Sequence, residues 1–367
     1  MVANQRVPHA QLFVTPPGNG ALALAIAYAQ YLLCNNTDGE NITGDQGCNL
    51  KCNKLMHPDL HFVFPVATNA QVKKHPSSDA FINEWRSFIN DNPYGDLFDW
   101  YQHIGIENKQ GQIGVDEAES IVKKLSLKSF EGSSKVLIIW MAEKMNIATS
   151  NKLLKLIEEP PEKTILLLIT ENENQILDTI KSRCQQLNLL PLSENEVVNA
   201  LLKFEHVSDN EATKIAQQAN GNWNKALQLA HNQYDDSQFE EWFITWVRTA
   251  FRAKGNASVV NQLVEWSQNI AGAGREVQKN FLQYCIQFFR QALLFNYKAD
   301  ALVYLEPQTP NFSLEKFAPF IHGTNILEIS DELNDAIYHI ERNGNARIIL
   351  LDLSIKLTRL LHQKEQV

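Results

Sequence analysis

The chain has 367 residues, 44% of them hydrophobic and 20% charged, with a formal net charge of −9. That length exceeds one ordinary domain, and the negative balance argues against a broad face that grips nucleic-acid phosphates. No apolar run reaches the roughly 18 residues of a membrane span, and the N-terminus lacks a signal-peptide pattern, so a cytoplasmic protein is expected.

Up to about residue 190, short apolar runs alternate with helical stretches, which predicts a parallel α/β sheet with helices on both faces. Strands are expected at 12–14, 61–66, 135–139, 165–169 and 185–190, and helices at 21–33, 79–91, 116–127, 148–158 and 174–181. From Pro191 the strand signal stops. Ser193, with Glu196 three residues on, has the spacing of a capping box and opens a helix to about 203. Two more short helices follow at 208–219 and 222–231. Beyond about 236 the chain reads as helical, with apolar residues at helical spacing over 239–253, 277–295 and 333–361, the last broken near Asn343-Gly344-Asn345. Residues 307–319 form a loop-rich insertion with no assigned role.

The first strand and helix flank a loop with the setting of a phosphate loop, G-x-x-x-x-G-K-[ST]. In that pattern amides cradle phosphates, lysine reaches them and a hydroxyl holds Mg²⁺. Here the stretch from Leu12 to Leu22 reads LFVTPPGNGAL. Gly18 and Gly20 remain, but Thr15 stands at the first glycine, Ala21 at the lysine and Leu22 at the hydroxyl. Neither alanine nor leucine supplies a cation or a Mg²⁺ ligand, so no ATPase chemistry and no cofactor are expected at this loop.

The stretch from Asn151 to Cys184 reads NKLLKLIEEPPEKTILLLITENENQILDTIKSRC. A helix stops at Glu158-Glu159 because Pro160-Pro161 cannot continue it. A buried strand then ends at Thr170, and a short helix delivers Ser182-Arg183-Cys184 to a turn. This order resembles the clamp-loader branch of the AAA+ ATPases, and the resemblance covers roughly residues 5–232. It implies a degenerate α/β AAA+ domain at 1–191, a three-helix lid at 192–234 and an all-α collar at 235–367.

In that branch the strand ending at Ile139 normally leads into Asp-Glu. This chain has Trp140-Met141, and Glu143 comes too late, reading as a solvated helix-start carboxylate. Near the lid, hydrolysing subunits carry an arginine where Asn224 stands, with Lys225 beside it. The resemblance therefore implies a subunit that is silent in ATP turnover. Arg183 would be an arginine finger in trans, catalytic for a neighbour's ATP, with Ser182 and Cys184 shaping the turn. Implied partners are gamma/tau-like ATPase subunits, a delta subunit, and a sliding clamp and primed DNA met through the assembled hetero-oligomer. An active gamma/tau-like ATPase and a non-replicative scaffold on the same fold remain as alternatives. For Arg183 alone, the alternative is an exposed arginine paired with a nearby carboxylate.

Related subunits insert a four-cysteine zinc module after the first helix. Here Cys34, Cys48 and Cys52 supply three thiols, with His57 as the only candidate fourth ligand. The expectation is that no metal is bound, with Cys34 a buried apolar residue at a helix end and Cys48 and Cys52 loop thiols. Five cysteines, an odd number, do not suggest a disulfide framework either. His61, beside a strand, and His75 and His103, in polar loops, read as ordinary histidines without a catalytic role. Trp85 and Trp100 look exposed and read as packing residues.

Overall fold

A computed structural model describes residues 6–34, 45–131, 134–205, 207–231 and 236–364, without the side chain of residue 301. The chain forms two compact units. One comprises Met1–Ile106, Gln110–Val197 and Ala219–Leu227, and the other Glu107–Lys109, Val198–Gln218 and Gln228–Val367. The expected end of the lid at 234 lies outside the described residues.

All five expected strands form: β1 (Ala10–Val14), β2 (Leu60–Val63), β3 (Lys135–Ile139), β4 (Thr164–Thr170) and β5 (Gln185–Asn188). They build one parallel sheet in the order β2-β3-β4-β1-β5. Every residue of β3 and β4 is buried, as befits central strands covered on both faces. Because side chains alternate along a strand, Phe13, Ile138 and Leu167 pack on one face, against Ala25 and Ala29 of α1 (Ala21–Cys34). Leu12, Leu137 and Leu168 pack on the other. The second strand stops short of its expected end because Pro65 has no amide to give the ladder.

The helices of this unit continue with α2 (Gln46–Asn53), α3 (Ile82–Asp91), α4 (Leu97–His103), α5 (Val115–Ser126), α6 (Ile147–Glu158) and α7 (Asp178–Lys181). Leu153 and Ile157 of α6 and Ile121 and Leu125 of α5 cover the second face of the sheet. The helix expected over 174–181 is divided. Ile176 and Leu177 are extended, with ψ of 134° and 135°, and Ile176 turns into the core, so only a 3-10 turn precedes α7. Neither α2 nor α4 was expected. The first buries only Cys48 and Cys52, which carry no hydrophobic signal, and the second is set by an Asp96/Asp99 capping box.

The short helices α8 (Glu194–Ala200), α9 (Asp209–Ala219) and α10 (Trp223–Ala230) follow. Ser193 and Glu196 make the expected reciprocal cap, with Ser193 N donating to Glu196 Oε2 at 2.7 Å and Glu196 N to Ser193 Oγ at 3.3 Å. The helix ends three residues early and runs on as a single π turn over Leu201–Glu205.

The second unit is built mainly from α11 (Ser237–Ala253), α12 (Ala257–Gly272), α13 (Arg275–Asn296), α14 (Leu314–Phe317), α15 (Ile326–Glu341) and α16 (Ala346–Leu360). Its core is aromatic: Phe243, Trp246, Trp266, Phe281, Phe288 and Phe289 are buried together. The 307–319 insertion is tied to this core. The Glu240 carboxylate accepts from the amides of Gln308 and Thr309 at 2.9 and 2.6 Å, while Phe312 and Phe317 stack into the aromatic cluster. No helix among the described residues is long and apolar enough to cross a membrane.

Candidate functional site

The loop after β1 has the backbone of a phosphate loop, but the chain's own side chains fill it. Gly18 and Gly20 have φ of +67° and +86°, which favour glycine. A Cβ at Gly18 would overlap the Asn222 carboxamide, and one at Gly20 would come within 3.0 Å of the Tyr94 ring. Thr15 Oγ1 donates to Asn19 Oδ1, and its backbone N to Thr170 O at 3.0 Å. Ala21 and Leu22 point into the core and are buried. The cavity left over the loop, lined by Gly18, Gly20, Tyr94, Trp140 and Glu171, holds about 20 Å³. That is room for about one water between the Tyr94 ring and the loop.

The two positions that would hold acidic groups after β3 belong to the core. Trp140 lies 5.2 Å from the Trp85 ring and 6.3 Å from that of Phe88, centroid to centroid, and Met141 is buried beside it. Trp85 and Trp100 are fully buried, not exposed, and pack edge to face at 5.1 Å.

Glu143 departs from the solvated carboxylate expected of it. Its Oε2 is shut off from solvent, and Oε1 accepts from Glu171 N at 3.3 Å, because the turn after β4 folds over it. Burial pushes its carboxyl up, so the fold favours the neutral form. Such a group stabilises fully below the unfolded carboxyl pKa, and its contribution is lost as pH rises through the folded value. Glu143→Gln keeps the acceptor for Glu171 N. It is expected to raise the thermal unfolding midpoint at about pH 7.5, with the gain vanishing near about pH 4.

Asn224 is also committed to structure. Its amide donates to Gly18 O at 3.1 Å and its Nδ2 to Asp99 Oδ2 at 2.7 Å. Neighbouring Lys225 gives its backbone N to Asn222 Oδ1 at 2.8 Å, which caps α10.

Arg183 stands at the surface in the turn between α7 and the edge strand β5. Its Nε donates to Glu158 Oε1 at 2.5 Å and its Nη1 to Thr179 O at 3.0 Å. Ser182 Oγ closes the turn onto Thr179 O at 3.2 Å. Cys184 packs against the sheet, where burial pushes its thiol up to about 11. The pairing with Glu158 is the one an ordinary surface arginine would make, and the same geometry holds the guanidinium out of the core.

The cysteines are closer than expected, and they are not loop thiols. Cys34 ends α1, Cys48 and Cys52 lie one turn apart on α2, and all three are buried. Contrary to expectation, Cys34 and Cys48 form a disulfide. The two helix ends bring their Cα atoms to 5.5 Å, inside the range a disulfide spans. Cys52 Sγ lies 3.6 Å from Cys34 Sγ. His57 is buried beside Cys48, its Nε2 3.1 Å from Glu131 Oε2. Among the described residues the three sulfurs lie within 4.8 Å of one another, whereas His57 converges with Cys48 and Glu131, so once the disulfide is reduced the thiols offer three of the four ligands a structural zinc takes.

Sequence reasoning missed the residues that fill the loop. Tyr94 lies in Asn92-Pro93-Tyr94-Gly95, a turn signal with no tie in sequence to Gly20. Asn222 reads only as a helix cap.

A family model described as "DNA polymerase III, delta subunit" matches residues 1–193. DNA polymerase III subunit delta' of Bacillus subtilis is 28% identical over 231 residues, covering 63% of this chain and 56% of that one. The subunit of the same name from Yersinia pestis is 30% identical over 179 residues, 48% of this chain and 40% of its own length. The chain thus spans about half the length of the curated relatives it matches. A Thermotoga maritima "gamma subunit-related protein" of DNA polymerase III superposes with a TM-score of 0.37 at 12% identity, covering 98% of this chain and 97% of that one.

Proposed function

The chain belongs to the DNA polymerase III delta-subunit family, and from that premise we propose that it is a delta-prime-type clamp-loader subunit that holds no ATP and lends Arg183 to a neighbour. The observation that carries this reading is the contrast between two places in one unit. The loop at Gly18 and Gly20 is filled by Tyr94 and Asn222, leaving about 20 Å³. Arg183 stands exposed on the turn before β5. Arginine suits a role in trans because its planar fork stays charged and bonds two phosphate oxygens at once.

In this reading the neighbour is a gamma/tau-like ATPase. A delta subunit, the sliding clamp and primed DNA are met through the assembled complex, in the cytoplasm. Residues 1–191 form the degenerate α/β domain, 192–234 the lid and 235–367 the collar. An active gamma/tau-like ATPase is opposed by Ala21, Leu22 and Trp140. If the cysteines are reduced, Cys34, Cys48 and Cys52 would offer three thiolates to a metal ion that fastens α2 to the end of α1, with His57 beside Cys48 as the candidate fourth ligand.

Calorimetric titration of Mg·ATP into the isolated chain tests the silent half of the proposal. No heat of binding is expected up to millimolar nucleotide. A stoichiometric site of micromolar affinity would end it.

A further inference from the structure

Glu158 and Arg183 stand 25 residues apart in sequence, at the ends of two different helices, yet they meet. A carboxylate on the last residue of a helix faces the negative end of the helix dipole, an unfavourable place for it. A cation held against that carboxylate relieves the mismatch. Exposed ion pairs contribute little to stability, so geometry is the informative property of this one. Nε is bonded to Glu158 at 2.5 Å, and Nη1 is bonded to Thr179 O at 3.0 Å and lies 3.4 Å from Ser182 Oγ. Among the described residues no bond is made by Nη2. The two N–H groups of Nη2 are thus the ones left for another acceptor.

From this we infer that Glu158 is a positioning residue. It clamps the Nε edge of Arg183 so that Nη2 is presented, in one orientation, to the γ-phosphate of a nucleotide held by an adjacent subunit. The inference rests on the finger role proposed for Arg183. Its physical basis is that a free arginine spreads over many rotamers, whereas a side chain already fixed loses less freedom when it engages the reacting phosphate. Glu158 is fixed in turn: Leu156 and Ile157 bury the last turn of α6, and Pro160-Pro161 stops the helix directly after it.

The test is steady-state ATP turnover by a clamp-loader complex reconstituted with wild-type chain, Glu158→Ala, Glu158→Gln, Arg183→Ala or the double variant. Glu158→Ala is expected to lower kcat about tenfold while leaving the KM for ATP, assembly and the melting temperature unchanged. Glu158→Gln, which keeps an oxygen acceptor for Nε, should recover most of the loss. The double variant should fall no further than Arg183→Ala alone, because both changes remove the same interaction. If Glu158→Ala turns over at the wild-type rate while Arg183→Ala does not, positioning is wrong and the finger role stands. If Glu158→Ala still costs the same factor in the Arg183→Ala background, Glu158 acts through something else. If neither single variant loses activity, the finger role fails as well.

Discussion

Trp140→Asp, which restores an acidic group where active relatives of the AAA+ clamp-loader branch carry one, is expected to unfold the α/β unit rather than revive it. Trp140 is 3% exposed and touches the rings of Trp85 and Phe88. Removing a buried tryptophan to alanine costs about 3–5 kcal/mol. An aspartate in the same cavity adds an unpaired charge among aromatic rings, which costs more again. Against the roughly 5–15 kcal/mol of net stability in an ordinary domain, that loss is of the same size as the whole. Urea unfolding of the purified variants checks it. Trp140→Ala should shift the midpoint strongly downward, and Trp140→Asp should show little cooperative unfolding. A Trp140→Asp chain with the wild-type midpoint would mean that this tryptophan is not part of the core. New phosphate or Mg²⁺ ligands alone would therefore not open the loop, since Tyr94 and Asn222 also occupy it.

The strands of this protein were legible because a parallel sheet covered on both faces demands continuous apolar runs, and KVLII and TILLLIT are such runs. Helix α12 falls within the stretch read as helical beyond about 236: Val259, Leu263, Trp266 and Ile270 carry helical spacing, and all four are buried. By contrast, α2 had no hydrophobic pattern to read. Its buried face is two cysteines, and the sulfur of Cys34 that meets them lies on another helix.

The candidate site divides the same way. Missing chemistry at Ala21, Leu22 and Trp140 could be read directly, because a side chain that cannot bind phosphate or Mg²⁺ is the same in any fold. What replaced the chemistry could not be read. Tyr94 reaches Gly20, and Asn224 reaches Asp99 across 125 residues, only once the sheet has assembled. Glu143 misled for a related reason. Its place at a helix start suggested solvent, whereas the turn at Glu171 covers it. Likewise Glu158 was legible as part of a helix stop but not as the partner of Arg183.

Arg183→Ala is the variant with the greatest expected effect on activity. In GTPases an arginine supplied to a phosphoryl-transfer site accelerates turnover by roughly 10³–10⁵. Its removal here changes nothing in the core, because the side chain bonds at the surface, to Glu158, Thr179 and Ser182. Folding and assembly should therefore survive the substitution. The decisive measurement is single-turnover hydrolysis at the neighbouring subunit's site in a reconstituted complex containing wild-type or Arg183→Ala chain. Loss on the order of 10³-fold in the hydrolysis rate, with the complex intact and nucleotide still bound by the neighbour, is the expected result. Equal rates from the two complexes would contradict the claim that this chain completes a site it does not itself possess.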